Sequence, residues 1–281
     1  MSFMTNLSAT AVAAVLALSA GVASAASFPD FVVDPTQSGL TSGAPTFTAD
    51  KITGNYVEFI SFNADSTFNY ALRWGAGQFV ANDGTDILAG IDTGLGSLYG
   101  LYAEATGSGT FSTDAFGRTT FVTNSGGTIQ FVYDKFSDGR TRYTNNGAAI
   151  VDQNTLFAKT GDSLDKALLA TGAAITGSGT LDPFAPGCGG LGGAGINCGS
   201  FGQTSGILLN ADGEKFFTAP VPFYTLAFNS GQLNNFTVGG TQVINGSLDL
   251  VFNNVPEPSA LALVGLALVG LGLASRRNSK A

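Results

Sequence analysis

The chain has 281 residues, with 12 lysines and arginines against 20 aspartates and glutamates, and its net charge is −8. A protein of that charge repels phosphate backbones and anionic lipid surfaces, so nucleic acid is not expected as a partner. The chain contains no histidine, which excludes Ser-His-Asp and Cys-His nucleophilic enzymes, most zinc sites and the commonest general base.

The first predicted element is an export signal. Residues 9–23 are almost entirely apolar, and Ala23-Ser24-Ala25 has the small residues of a signal-peptidase site. Residues 1–8 contain no lysine or arginine, so the amino terminus alone supplies the positive charge that precedes the apolar run. We predict a signal peptide over residues 1–25, followed by one extracellular domain over residues 26–254.

Alternating apolar and polar residues recur along this domain and predict β-strands. Phe68, Tyr70, Leu72 and Trp74 fall on one face of one such strand, and Asn-Asp-Gly at 82–84 is typical of the tight turn after a strand. Further strands are predicted over 56–62, 98–104, 119–123, 129–133, 204–209, 223–229 and 248–252. The pattern predicts an all-β fold of roughly ten to thirteen antiparallel strands, arranged as a β-sandwich or a jelly-roll-like pair of sheets.

The turn at 82–86 also contains the candidate metal ligands of the chain. Asp83 and Asp86 lie on either side of a glycine, which resembles part of a calcium loop, although the glutamate that completes an EF-hand is missing. Asp-Gly turns are also ordinary hairpin chemistry. Asp83 and Asp86 are therefore weak calcium candidates, and no cofactor is predicted.

One short helix is predicted over Asp162–Ala170. The segment has an acidic first turn, Leu164 and Leu168 four residues apart, and Gly172 as a C-terminal stop. We expect two helical turns that cap one end of the sandwich.

Six aromatic residues could stack on the face of a sugar ring. Because most of them lie in alternating strands, packing in the core is the better explanation for any one of them. They are Trp74, Tyr99, Tyr102, Tyr133, Tyr143 and Tyr224.

Cys188 and Cys198 enclose a glycine-rich loop without charge. An exported protein meets an oxidising compartment, so a structural disulfide is predicted. In the chain-entropy model such a bridge stabilises the fold by about 3 kcal/mol. A metal or redox site is the alternative, but the CxxC spacing and the histidines of such sites are missing.

A sorting segment is predicted over residues 255–281, beginning with Pro256, Glu257 and Pro258. The prolines fix φ and lack backbone donors, so they form an extended, accessible stalk that carries one carboxylate. The apolar run 259–274 would be about 24 Å long as a helix. A bilayer core is about 30 Å thick, so this run can span it with help from flanking residues.

Arg276 and Arg277 follow the apolar run and should stay on the cytoplasmic side of the membrane. A buried core helix is the alternative, but such a helix normally has a polar face. The arrangement resembles the PEP-CTERM sorting signal of Gram-negative bacteria that make exopolysaccharide. The resemblance implies that a membrane-embedded exosortase recognises residues 256–258, that 259–274 is a transient transmembrane helix, and that the two arginines hold its topology.

The domain itself resembles the flocculation-associated PEP-CTERM proteins. The resemblance rests on residues 47–57, 181–201, 219–236 and 245–254. That family is associated with cell aggregation within an exopolysaccharide matrix, and the resemblance carries no active site over to this chain.

The predicted function is that of a non-enzymatic protein at the surface or in the extracellular matrix of a Gram-negative bacterium, promoting flocculation or biofilm formation. Its expected partners are the exosortase and export machinery, extracellular polysaccharide or other copies of itself, and the membrane through 259–274. One alternative is a secreted polysaccharide-modifying enzyme that uses aspartate pairs, although no sequence feature selects a pair. Another is a permanently anchored protein whose tail is not cut.

Overall fold

The computed structural model describes residues 28–36, 43–136 and 166–253, and the backbone of 142–145 and 157–160. These residues form fifteen strands and two short helices. The strands are β1 (Phe31–Val33), β2 (Phe47–Ala49), β3 (Lys51–Phe62), β4 (Thr67–Ala81), β5 (Asp86–Leu88), β6 (Tyr99–Thr113), β7 (Thr119–Thr123), β8 (Gly126–Lys135), β9 (Arg142–Asn145), β10 (Phe157–Thr160), β11 (Lys166–Leu181), β12 (Gly199–Leu209), β13 (Phe217–Ala219), β14 (Leu226–Leu233) and β15 (Gly240–Asn253). The helices are α1 (Gly90–Thr93) and α2 (Ala211–Phe216).

Ten of the strands form one antiparallel sheet, in the order β5-β4-β3-β15-β14-β12-β11-β7-β6-β8. Two additional pairings, β4 with β6 and β11 with β8, join its two halves. The sheet therefore closes on itself. Strands β7 and β8 both lie between β6 and β11, and each of them pairs with both of these strands. The predicted all-β, antiparallel domain is confirmed, with opposite walls of the closed sheet facing each other across the core.

A three-stranded sheet, β13-β1-β2, packs against the ends of β4 and β15. Its contact is aromatic: the ring of Phe31 lies 5.2 Å from that of Phe252 and 6.4 Å from that of Phe79. Phe217 also contacts Phe252, with ring centroids 5.4 Å apart. These edge-to-face and tilted contacts bury the small sheet's apolar face and extend the core. A two-stranded sheet, β10-β9, completes the described strands.

The alternation predicted for residues 68–74 is confirmed. Phe68, Tyr70 and Trp74 are buried, and Leu72 is half-buried beside them. The indole Nε1 of Trp74 donates to the carbonyl oxygen of Leu248 at 3.0 Å, across the intervening strand β3. This bond satisfies the only polar group of a large side chain that otherwise packs in the core.

Four glycines of the closed sheet lie directly opposite aromatic residues on neighbouring strands. In four directly opposed pairs, a Cβ atom built on the glycine would lie within about 3 Å of the aromatic ring, so only glycine leaves room for it. The pairs are Phe68–Gly109, Tyr70–Gly107, Phe201–Gly231 and Tyr56–Gly246. The rings thereby cover backbone that carries no side chain. This packing accounts for part of the high glycine content of the chain.

The helix predicted over Asp162–Ala170 is wrong where the structure describes it. Residues 166–170 begin β11, which pairs with β8 on one side and with β12 on the other. Leu169 is fully buried, and the hydrogen bonds of two neighbouring strands outweigh the local helix preference of the sequence. Residues 161–165 lie outside the described residues. The short helices within the described ranges lie over Gly90–Thr93 and Ala211–Phe216.

Helix α2 is capped by a side chain. Asn210 Oδ1 accepts hydrogen bonds from the backbone nitrogens of Asp212 at 3.0 Å and Gly213 at 2.9 Å. Asparagine is a favoured N-cap because its oxygen satisfies amides that have no partner within the helix. Phe216, at the end of α2, is fully buried and fixes the helix against the core.

Candidate functional site

The predicted sorting residues follow directly on the folded core. Leu248, Leu250 and Phe252 of β15 are buried, and Asn253 pairs with Leu226 of β14. The core is therefore packed up to the residues immediately before the sorting segment 255–281. Pro256, Glu257, Pro258, the apolar run 259–274, Arg276 and Arg277 lie outside the described residues, as does the signal peptide 1–25.

The predicted disulfide between Cys188 and Cys198 is confirmed. The sulfur atoms are 2.09 Å apart, the Cα atoms are 5.7 Å apart, and both side chains are buried. The backbone nitrogen of Cys198 also donates to the carbonyl oxygen of Leu233 at 2.8 Å, which ties the bridge to β14. The bridge therefore anchors the long connection between β11 and β12 to the closed sheet.

Asn235 holds the same loop, and sequence reasoning did not identify this role. Its Nδ2 donates to the carbonyl oxygens of Cys188 at 2.8 Å and Gly190 at 2.7 Å. Its backbone nitrogen donates to the carbonyl oxygen of Gly195 at 2.8 Å. Nothing local in the sequence identifies these partners, because they lie more than forty residues away along the chain.

Replacing Asn235 with alanine should lower the free energy of unfolding by about 2 kcal/mol, because two carbonyl groups lose their donor and each bond contributes about 1 kcal/mol. Urea unfolding measures this change. Asn234→Ala is the matched control, since among the described residues the side-chain amide of Asn234 donates to one partner, the exposed side chain of Asn245. Equal unfolding midpoints for the two variants would contradict the role given to Asn235.

An exposed apolar surface lies beside this loop. We define the loop surface as the side chains of Phe116, Phe184 and Leu191 together with the polar side chains of Asp114, Arg118 and Asp182. The three apolar side chains are 75%, 60% and 71% exposed, respectively. They come from two connections, between β6 and β7 and between β11 and β12, so the surface exists only in the folded protein.

Hydrogen bonds fix the backbone that carries these rings. Asp114 Oδ1 accepts from the backbone nitrogens of Phe116 at 2.8 Å and Arg118 at 2.9 Å. Asp182 Oδ1 accepts from the backbone nitrogen of Phe184 at 3.0 Å, and its Oδ2 accepts from Nε of Arg118 at 2.9 Å. The ion pair joins the two connections. The loop surface thus presents two aromatic rings on fixed loops, with charged groups beside them.

The aromatic residues predicted as alternatives for sugar stacking lie elsewhere. Trp74, Tyr99, Tyr102 and Tyr133 are buried, which confirms core packing as their explanation. Tyr224 is half-buried, and its hydroxyl donates to the carbonyl oxygen of Asp30 at 2.6 Å. The side chain of Tyr143 lies outside the described residues. The strongly exposed rings of the loop surface are phenylalanines in turns, where no alternation signals them.

Of the weak calcium candidates, Asp83 lies in the turn between β4 and β5, and Asp86 is the first residue of β5. Asp83 Oδ1 accepts from the backbone nitrogen of Phe28 at 3.1 Å, and Asp86 Oδ2 accepts from Nδ2 of Asn82 at 2.6 Å. The described part of the chain contains no group of three or more histidine, cysteine or acidic side chains placed to hold a metal ion. Both carboxylates act as acceptors that stabilise the turn, and calcium binding stays a prediction.

Residues 254–277 match the family model of the PEP-CTERM protein-sorting motif. The match includes the positions of Pro256, Glu257 and Pro258, and it confirms the predicted resemblance of this segment to the PEP-CTERM sorting signal. A comparison with curated proteins finds no match to the chain. No helix within the described ranges has the length and apolar character needed to cross a membrane, and the predicted span 259–274 lies outside them. The chain therefore carries a PEP-CTERM protein-sorting motif, and it is an exported protein that is sorted at the membrane and processed by an exosortase.

Proposed function

We propose that the protein is a non-catalytic matrix protein that promotes cell aggregation. After exosortase processing it would stay at the cell surface or in the extracellular matrix of a Gram-negative bacterium, where it binds exopolysaccharide or other copies of itself. The observation that carries this proposal is the loop surface, which exposes two phenylalanine rings beside charged groups on the exported domain.

The contacts of this surface suit a neutral glycan. The apolar face of a pyranose packs against Phe116 and Phe184, and its hydroxyl groups hydrogen-bond to the carboxylate of Asp182 and the guanidinium of Arg118. A single contact of this kind is weak because the surface is open to water. Many copies displayed along a polymer make weak contacts effective by raising the local concentration of binding sites.

The acidic residues of the loop surface already serve as hydrogen-bond acceptors. Asp114 and Asp182 both accept backbone hydrogen bonds. Asp182 is also paired with Arg118. These bonds hold the loops that present the two rings, which supports a binding role for the loop surface. The alternative of a polysaccharide-modifying enzyme gains no support from this pair.

Two variants of the full chain, expressed in the organism that makes it, test the proposal. Deleting residues 256–281 should remove matrix retention and flocculation while leaving a folded, secreted domain. The double variant Phe116→Ala and Phe184→Ala should be exported and processed normally but form far fewer flocs. Leu208→Ala is the matched control, because Leu208 is 73% exposed and lies on strand β12, outside the loop surface.

Each readout has a contradicting outcome. Normal flocs from the deletion variant would refute the dependence on the sorting segment. Normal flocs from the phenylalanine double variant would refute the loop surface as the binding site. Depolymerisation of the host exopolysaccharide by the purified protein would refute the non-catalytic role.

A further inference from the structure

The interior of the closed sheet contains a cavity of about 70 Å³ between β3, β4, β7, β11 and β12. One water needs at least about 10–15 Å³ and benzene about 150 Å³, so this cavity has room for a few waters or a molecule smaller than benzene. Its walls are largely apolar and include the rings of Phe68, Phe201 and Phe236. The cavity is therefore large enough for an organic molecule of about two or three heavy atoms.

Glu58 faces this cavity from β3, at a position where the alternation of the strand places apolar side chains. Its inward neighbours along the strand, Tyr56 and Ile60, are both buried. Burial raises the pKa of the Glu58 carboxyl to about 8. A carboxyl group in a nearly apolar wall costs free energy unless it has a partner, so its position calls for a ligand or a water in the cavity.

Two other polar residues of the wall, Tyr70 and Gln203, are already paired. The hydroxyl of Tyr70 donates to Oε1 of Gln203 at 3.1 Å, and Nε2 of Gln203 donates to Oγ of Ser205 at 3.1 Å. Tyr70 is the only other titratable residue among those described that line the cavity, and none of those is a lysine or arginine. Among the described residues, no hydrogen bond or ion pair occupies the Glu58 carboxyl.

The wall of the cavity is thin on one side. Ser178, Gly179, Phe201 and Gly202 line the cavity and also line a depression on the outer surface of the sheet. Two of these four residues are glycines, so little more than backbone and one phenylalanine ring separates the cavity from solvent there. A small molecule has a short path into the interior at this point.

We propose that this cavity binds a small alkylamine, with its ammonium group at Glu58 and its alkyl group against the phenylalanine side chains. An ammonium ion supplies the partner that the Glu58 carboxyl lacks, and the surrounding aromatic faces attract a cation. An anion is disfavoured by Glu58 and by the negative charge of the chain. This site is independent of the loop surface and of the sorting segment.

Ethylamine and its neutral analogue ethanol are suitable probes, measured by calorimetry at pH 7 on the secreted protein. We expect saturable ethylamine binding that weakens at least tenfold in Glu58→Gln, while ethanol binding changes less than threefold. Ethylamine should also release close to one proton in the wild type, because Glu58 loses its proton when the ammonium arrives. Two buffers of different ionisation enthalpy measure that release.

Two control variants make the test specific. Glu214→Gln removes the same charge from an exposed position on α2 and should bind both probes as the wild type does. Ile60→Phe adds volume to the cavity wall and should abolish binding of both probes. Absent saturation in the wild type would overturn the proposal and leave Glu58 hydrated by water. Equal ethylamine affinity in Glu58→Gln and the wild type, or equal loss in Glu214→Gln, would also overturn it.

Discussion

Replacing Gly109 with alanine is expected to lower the free energy of unfolding by about 3 kcal/mol or more. A Cβ atom at this position would lie 2.2 Å from the carbonyl oxygen of Val122 and 2.3 Å from the ring of Phe68. The first contact is with backbone that is itself hydrogen-bonded in the sheet, so it cannot move without breaking strand pairing. Urea unfolding gives the change as a shift in midpoint at constant slope.

Gly75→Ala is the matched control for this substitution. Gly75 also lies within a strand of the closed sheet, but a Cβ atom there would have no neighbour within 4 Å. We expect its unfolding midpoint to match or slightly exceed that of the wild type, since alanine restricts the unfolded chain. The double variant Gly109→Ala and Phe68→Leu should recover part of the loss, because leucine removes the ring. Equal stabilities for the Gly109 and Gly75 variants would refute the packing of aromatic rings over glycine.

The free energy of unfolding should fall as the pH rises from about 4.5 to about 8. The part of this fall that comes from Glu58 should be absent in Glu58→Gln. The folded state holds the Glu58 proton more tightly, since burial raises its pKa from 4.5 to about 8. The stabilisation is therefore complete below the pKa of the unfolded state and is lost as the pH rises through that of the folded state. Water in the cavity reduces the effect, and we expect about 2–3 kcal/mol in total.

The measurement is the difference in unfolding free energy between the wild type and Glu58→Gln, taken from pH 4.5 to pH 9. Titrating groups that the two proteins share cancel in this difference. Glu58→Gln should be the more stable protein at pH 9, because the wild type then carries a charge in an apolar wall. Glu214→Gln again provides the charge-matched control. Parallel stability curves for the wild type and Glu58→Gln would place the carboxyl in contact with bulk water and refute its burial.

Local sequence predicted the strands whose two faces differ. Alternation alone places Phe68, Tyr70 and Trp74 on one face of a strand, and all three are buried. The method works there because the polar residues Asn69 and Arg73 lie between apolar ones. It failed at β11, where alanines, leucines and glycines carry no clear period and the leucine spacing favoured a helix. Pairing with two neighbouring strands decided that segment.

The functional surfaces were less accessible to prediction than the strands. Phe116 and Phe184 lie in turns, so no period marks them, and their proximity depends on how β6, β7 and β11 are placed in the sheet. The hydrogen bond between Asn235 and Cys188 could not be predicted either, because the two residues are far apart in the sequence and meet only in the fold. In the sequence, Glu58 looks like an ordinary polar residue of a strand. Only the register of β3 with its neighbouring strands places its side chain toward the interior.

The sequence by itself determined the sorting motif, the antiparallel β class and the bond between Cys188 and Cys198, because each depends on residues close together in the chain or on the cellular compartment; the signal peptide stays a prediction. Only the tertiary structure decided the closure of the sheet, the glycines beneath four aromatic rings and the cavity around Glu58. These features arise from pairings between strands far apart in sequence, such as β3 with β15, whose register is set by the packing of the whole core.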